Sequence, residues 1–509
     1  MIRTMLGFVG SAWQTGEMRA QRRKDKDDRF FMEKAGKADG RKMRNDKQGT
    51  WTGQRLKRLN CPYTTCNLLA FIESTHLVKE HPMVSRKAQI LQAVTVAVLL
   101  ATCLNTFAEQ GPVIKKGDLV AIVGDSITEQ KLYSKYIEMY LTVCVPELEA
   151  TTIQLGWSGE RAPGFAGRME NDLVPFKPNV VTTCYGMNDG SYRKWDPKIG
   201  VPYKKSMTQI VDRMIKEGAT VVVGAPGAVD NVSFKRSEER AIEYNDNLAH
   251  LRDIAKAIAE EKKMPFANVH DTMVSAMNKA QAELGDKYHV CGGDGVHPSP
   301  NGQLVMAYAF LEAMGLDGNL GTITVDLKGT ATATDGHKVV SAKDGKVDLE
   351  SSRYPFCFFG DNKSPNSTKS ILPYLPFNQD LNRLVLKVSN ADAAKYKVVW
   401  GKSSKDFTSA QLTAGINLAS EFMDNPFVAP FRNVERAVAQ KQSFETLMIK
   451  RILTNFRHVK NMFKGDKVIN ESTENIRKRM DEKRQELGKA AQDAFKPVKH
   501  TITIAAVAE

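Results

Sequence analysis

Between Asp118 and Gly315, short apolar runs alternate with longer stretches whose apolar residues recur every three to four positions. The runs at 119–123, 151–155, 180–184, 220–223 and 265–269 predict buried strands. Helical periodicity covers 130–143, 204–216, 237–262, 272–284 and 302–313. Alternation of this kind predicts an α/β fold, a parallel sheet with helices on both faces. Beyond Gly315 the period changes. Residues 322–327 and 384–388 alternate as half-buried strands do, 396–400 is strand-like, and Asp335-Gly336 and Asp344-Gly345 mark turns. This predicts a β-rich accessory domain over 321–430. From 431 to 463 Val434, Val438, Ile449, Ile452, Phe456 and Val459 return to helical spacing, and a charged stretch, 474–495, follows a break at Lys464-Gly465-Asp466. These predict a helical pair within 431–496. Its stripe reads as packing, because the polar face carries both charge signs. Residues 500–504 alternate again, so 497–509 is expected to supply a strand returning to the β-rich domain.

With 509 residues, two or three folded units are expected. The net charge of +14 is unevenly spread: residues 1–82 carry +8, whereas 109–509 carry only +4. The basic character belongs to the first hundred residues, which lack the interleaved aromatics of a nucleic-acid module, so no nucleic-acid partner is expected. Met83 opens a segment with a positive start (Ser85-Arg86-Lys87), an apolar centre (88–104) and small residues at Thr106 and Ala108. That is the pattern of a secretory signal cut after Ala108. Its apolar part is short of the ~20 residues of a stable membrane span. The expectation is therefore translation from Met83, a signal peptide over 83–108, and a secreted or periplasmic product beginning near Glu109. Residues 1–82 would then be a disordered or mis-assigned extension. Leu100-Ala101-Thr102-Cys103 approaches a bacterial lipoprotein box, but Thr102 is unusual there, and lipid anchoring ranks below simple secretion. Cys61, Cys66 and Cys103 lie in this leading stretch. Cys144, Cys184, Cys291 and Cys357 remain, and four cysteines permit three pairings. No Cys/His cluster has zinc-like spacing, and neither metal nor cofactor is expected.

Candidate chemistry sits where strands end. Gly124-Asp125-Ser126-Ile127-Thr128-Glu129-Gln130 follows the first strand, Gln154-Leu155-Gly156-Trp157-Ser158-Gly159 the second, and Gly186-Met187-Asn188-Asp189 the third. Asp294-Gly295-Val296-His297-Pro298 closes the α/β region. Ligands collect at the carboxyl edge of a parallel sheet. Each block has an ordinary structural reading: Asp125 and Ser126 are capping residues, Gly159 suits a tight turn, and Asn188-Asp189 and Asp294-Gly295 are turn signals.

Together, in this order, the four blocks resemble the SGNH (GDSL-type) hydrolases, serine esterases named for a Ser, a Gly, an Asn and a His. The resemblance covers 116–315 and implies a three-layer, flavodoxin-like α/β/α fold. It implies Ser126 as nucleophile, His297 as base and Asp294 as the partner of His297. It also assigns the oxyanion hole to the N–H groups of Ser126 and Gly159 and the Asn188 side-chain amide, with Asp125 and Asp189 supporting the site. The chemistry is coherent: a serine hydroxyl needs a base, and the imidazole needs an orienting carboxylate. One departure is Gln154, where the family usually has Asn; the position supports the loop. Trp157, Tyr185 and Met187 either line an apolar or sugar-stacking surface or pack in the core.

The sequence thus predicts a secreted serine esterase acting on a small-molecule or polysaccharide ester, with an acyl group on carbohydrate preferred. A lipid esterase or thioesterase is the enzymatic alternative. A non-catalytic sugar- or surface-binding protein is the other, opposed by the retention of Ser126, Asp294 and His297. The accessory region is expected to shape substrate access without supplying a catalytic group. Oligomeric state is left open.

Overall fold

The computed structural model describes residues 111–334 and 336–507. The leading extension, the signal segment, Cys61, Cys66, Cys103 and Asp335 lie outside the described residues.

The α/β half runs β1 (Leu119–Gly124), α1 (Ser126–Glu129), α2 (Tyr133–Met139), β2 (Thr151–Gln154), α3 (Ala162–Asp172), β3 (Val180–Cys184) and α4 (Pro197–Lys216). It continues with β4 (Thr220–Gly224), α5 (Glu238–Lys262), β5 (Phe266–Ala267), α6 (Val269–Leu284) and α7 (Pro300–Ala313). The five strands are all parallel, in the order β2-β1-β3-β4-β5. This is the flavodoxin-like order, with β3 at its centre and β1 beside it. Helices α3, α4 and α5 pack side by side in one layer, and α2, α7 and α6 in the other. Strands β1 and β3 are almost wholly buried, which is why they read as continuous apolar runs.

Three local differences from the sequence reading have identifiable causes. The helix expected over 130–143 begins three residues late and runs on through a wider helical turn at Tyr140–Cys144: Lys131 takes a left-handed φ of 58°, and α2 starts at Tyr133, whose N–H donates to Gln303 Oε1 at 3.0 Å. Helix α3, absent from the helices expected above, carries Pro163 and Gly164 in its first turn. Pro is tolerated there, and burial of Phe165 and Met169 holds the helix. Helix α4 starts at Pro197, ahead of Gly200 and Pro202, because the Asp196 carboxylate caps the Lys198 N–H at 2.9 Å.

The second half forms β6 (Asn319–Asp326), β7 (Thr330–Ala333), β8 (His337–Lys343), β9 (Lys346–Ser351), β10 (Arg383–Ser389), β11 (Lys395–Trp400), β12 (Ser403–Thr408) and β13 (Ile416–Asn417). Then come α8 (Val428–Leu447), α9 (Phe456–Met462), α10 (Lys467–Ala494) and β14 (Val498–Ala506). One sheet has the order β13-β10-β6-β7, with β6 and β10 parallel; the other, β12-β11-β14-β9-β8, is antiparallel. Strand β14 therefore lies between β9 and β11, at the middle of its sheet. Between these strands a run of polar side chains is buried. Trp400 Nε1 donates to His500 Nδ1 at 3.1 Å, His500 Nε2 meets Ser351 Oγ at 2.9 Å, and Ser351 Oγ meets His337 Nδ1 at 2.8 Å. His337 Nε2 ends the run on the Leu320 carbonyl at 2.8 Å.

Helix α8 packs against α10 and also against β2 and α2. Strand β2 is an edge strand, and an uncovered edge exposes unpaired backbone groups. Here the edge is closed by side chains. The Gln154 N–H donates to Glu445 Oε2 at 3.0 Å, and Lys441 Nζ donates to the Thr152 carbonyl at 2.8 Å. The Lys441 ammonium also meets Glu138 and Glu445, each at 2.8 Å, and all three groups are buried. Burial alone would discharge Lys441, but the two carboxylates outweigh it and hold its pKa above the ordinary lysine value. The helical pair is thus seated on the hydrolase sheet, and the described residues form one compact unit. A cut near Gly321 would uncover β2 and leave Glu138 buried in the α/β half without its cation.

Candidate active site

Strand β1 ends at Gly124, and Asp125 caps the following turn by accepting the Ile127 N–H at 2.9 Å. This aims Ser126 out of the sheet, where it is partly exposed. Helix α1 is a single turn, so its dipole adds little; what the turn offers is the Ser126 N–H itself. His297 comes from the loop before α7. Its Nε2 lies 2.8 Å from Ser126 Oγ, and its Nδ1 lies 2.7 Å from Asp294 Oδ2. The carboxylate can only accept, so the proton sits on Nδ1 and Nε2 is left to accept the serine proton. Asp294 Oδ1 also accepts the N–H groups of Val296 and His297, both at 2.9 Å. Burial opposes the Asp294 charge, but these N–H groups and the imidazole hold its carboxyl below the usual range. The loop is itself tethered. The Asp230 N–H donates to the Gly295 carbonyl at 2.9 Å, and Ser233 Oγ donates to the Gly292 carbonyl at 3.1 Å. Gly295 has φ 80°, and a Cβ there would meet the Phe234 backbone at 2.4 Å.

The structure places the proposed oxyanion donors differently from one another. Gly159 sits with φ 72° in an exposed turn, and nothing lies within 4 Å of where its Cβ would be. Among the described residues, the N–H groups of Ser126 and Gly159 make no hydrogen bond. Asn188 is buried and already engaged: Nδ2 donates to the Glu160 carbonyl at 3.1 Å and to Asp125 Oδ2 at 3.3 Å, while Oδ1 accepts from Tyr192 OH at 2.8 Å. Its amide must therefore exchange one of these acceptors to meet an oxyanion, and the 3.3 Å bond to Asp125 is the weaker.

Asp125 and Asp189 are both buried. Burial, reinforced by Asp189 and Glu160, pushes the Asp125 carboxyl up to about 7. Asp189 accepts the N–H groups of Ala162 (3.0 Å) and Gly186 (3.1 Å), joining the start of α3 to the third block, and burial pushes it up to about 6. Gln154 supports the loop, its Nε2 donating to the Thr128 carbonyl at 2.7 Å. Gly156 is required by close approach, since a Cβ would lie 2.3 Å from the Glu129 nitrogen. Tyr185 and Met187 are core residues, and of the three apolar candidates only Trp157 is partly exposed.

Several partners had little signal in the sequence. The Glu160 carboxylate is held by Arg168 (2.7 and 2.8 Å) and by Tyr185 OH at 2.7 Å. Arg168 also stacks over Trp157, 4.9 Å from the ring centroid. Glu129, inside the first block, accepts both the N–H and the Oγ of Ser158 and pairs with Lys450. Tyr192 lies four residues after Asn188, but nothing in the chain links Lys450 to the blocks. Among the described residues no cluster of His, Cys, Asp and Glu could hold a metal ion, and no helix is long and apolar enough to cross a membrane. Cys144, Cys184, Cys291 and Cys357 are buried and unpaired.

A hydroxyl, an imidazole and a carboxylate in line beyond the carboxyl edge of a five-stranded parallel sheet is the arrangement of an α/β serine hydrolase. Residues 122–305 match the GDSL-like Lipase/Acylhydrolase family, hydrolases acting on esters. An acetylxylan esterase of Geobacillus stearothermophilus is 24% identical over 223 residues, 40% of this chain and 97% of that relative. Its crystal structure aligns with a TM-score of 0.33 at 22% identity, over 40% of this chain and 96% of its own. A solved structure of a gut microbial diltiazem-metabolizing enzyme shares the fold more extensively. Its TM-score is 0.63 at 20% identity, covering 77% of this chain and 98% of that one.

Proposed function

We propose that this esterase removes small acyl groups from carbohydrate through an acyl-enzyme formed on Ser126, and that it does so after export. The observation that carries the mechanism is the relay Asp294–His297–Ser126, with bonds of 2.7 and 2.8 Å. His297 Nε2 takes the proton as Ser126 Oγ attacks the ester carbonyl, and Asp294 stabilises the imidazolium. The oxyanion is met by the Ser126 and Gly159 N–H groups and by the Asn188 amide once it leaves Asp125. His297 then protonates the departing alcohol, and water repeats the sequence to release the acid. The carbohydrate preference is supported by the acetylxylan esterase relative, and export by the Met83–Ala108 pattern.

The test is hydrolysis of acetylated xylo-oligosaccharides, short and long nitrophenyl esters, and an acyl thioester, with Ser126→Ala as control. The expected result is a higher kcat/KM on the acetylated sugars than on any long-chain ester or thioester. Loss of the Ser126 hydroxyl should lower kcat by about 10⁴-fold or more. Preference for a long acyl chain would replace the carbohydrate reading with the lipid-esterase one.

A further inference from the structure

The turn that carries Gly159 is held at two ends by different parts of the molecule. On its far side Glu160 is fixed by Arg168 and Tyr185, both inside the α/β half. On its near side the Ser158 N–H and Oγ donate to Glu129 Oε2 at 2.5 and 2.6 Å. Glu129 is in turn gripped by Lys450, whose Nζ lies 2.7 and 2.8 Å from the two carboxylate oxygens. The same ammonium stands 5.0 Å from the Trp157 ring centroid, within cation–π reach. Lys450 lies in the helical turn Met448–Ile452 that follows α8, so it reaches the site from the C-terminal region. The neighbouring Lys131 engages the Glu129 main-chain carbonyl at 2.8 Å.

We infer that Lys450 is a positioning residue for the oxyanion site, acting through Glu129 and Ser158 on the Gly159 N–H. No atom lies within 4 Å of where a Gly159 Cβ would stand, so no packing on that side steers its N–H, and its direction is set by its neighbours in the turn. The Ser158 peptide is the immediate neighbour, and its N–H is fixed only while the Glu129 carboxylate stays in place. Burial opposes that charge, and the Lys450 and Ser158 bonds overcome it, holding the Glu129 carboxyl below its ordinary pKa. The C-terminal helices thus do more than flank the site: they complete one wall of it. The inference rests on the reading of Gly159 as an oxyanion donor and Ser126 as nucleophile.

The experiment compares full-length Lys450→Met, Lys450→Arg, Glu129→Gln and the double variant Glu129→Gln/Lys450→Met on nitrophenyl acetate, with Tm measured for each. A misdirected donor costs part of the ~10²–10³ that outright loss of one costs, so Lys450→Met should lower kcat about 10-fold with KM within about twofold. Lys450→Arg should recover most of that loss, because a guanidinium also pairs both carboxylate oxygens. The double variant should be no slower than Glu129→Gln alone, since both act on one contact. A kcat for Lys450→Met within about twofold of wild type, losses that multiply in the double variant, or Arg no better than Met would each overturn the inference. Should Lys450→Met unfold, Glu129→Gln and Lys450→Arg carry the same comparison. Ser126→Ala separates the two levels. Dead Ser126→Ala with a normal Lys450→Met removes only the positioning role, whereas full turnover by Ser126→Ala removes the reading beneath it.

Discussion

The described residues contain two sets of serine–histidine contacts of nearly equal length, and their differences show what makes such a contact reactive. At the sheet edge, Ser126 Oγ and His297 Nε2 are 2.8 Å apart, partly exposed, with a carboxylate behind the imidazole. In the β-rich half, Ser351 Oγ lies 2.8 Å from His337 and 2.9 Å from His500, all three buried. The directions of the hydrogen bonds decide the chemistry. Trp400 can only donate, so His500 Nδ1 accepts and its Nε2–H donates to Ser351. Ser351 then donates to His337 Nδ1, and the His337 Nε2–H ends on the Leu320 carbonyl. Every proton is used and no carboxylate is present to stabilise an imidazolium. Burial accordingly lowers both pKa values, His500 to about 4 with His337 adding to the effect. Distance alone does not separate the two sets; exposure and the third partner do.

The sharpest way to break this contrast is to remove the carboxylate. Asp294→Asn keeps an oxygen for the Val296 and His297 N–H groups, so the loop should survive. Its NH2 group, however, faces Nδ1 and drives the imidazole into the wrong tautomer. A loss of about 10²–10⁴ in kcat is expected in steady-state assays with Tm little changed. Near-normal turnover would mean that the carboxylate does not distinguish the two sets.

Acid should act on the buried set. Both imidazoles are neutral in the fold, with pKa values below those of the unfolded chain, where an imidazole titrates near ~6.5. Their contribution is therefore complete above that value and is lost as pH falls from there toward about 4, the folded-state value of His500. Thermal melts across this window should show a falling Tm. His500→Gln, which can still accept from Trp400 and donate to Ser351, should flatten part of that fall. A wild-type Tm independent of pH between 6.5 and 4 would contradict the burial of neutral histidines.

Ser351→Ala should have the smallest effect: about 1–3 kcal/mol of stability, from two unpaired imidazole nitrogens, with turnover within about twofold of wild type. A large loss of rate in that variant would couple the two sets after all.

How much of this was legible depended on the distance over which a residue acts. Strand β3 matched its predicted span, because a doubly buried strand writes its burial into consecutive residues. The four blocks marked where Ser126, Gly159, Asn188, Asp294 and His297 would lie, since each is bound to a strand end or helix start in its own neighbourhood. Helix α3 was missed because Pro163 and Gly164 look like a loop until Phe165 and Met169 find their core partners. Lys450 and Lys441 gave no signal at all. They belong to the polar positions of a helical region that carries charges of both signs, and only the seating of α8 on β2 turns one into the partner of Glu129 and the other into part of a buried triad. Contacts made across some three hundred residues leave no local period to read.

Among the serines of the described residues, Ser126 alone meets a histidine with a carboxylate behind it, which makes it the one expected to react. Intact-mass and peptide mapping of the full chain after treatment with a serine-reactive phosphonate tests it directly. The expected result is a single adduct on Ser126, none on Ser351, and labelling abolished in His297→Ala. An adduct on another serine, or Ser126 labelled as fast in His297→Ala as in the wild type, would contradict it.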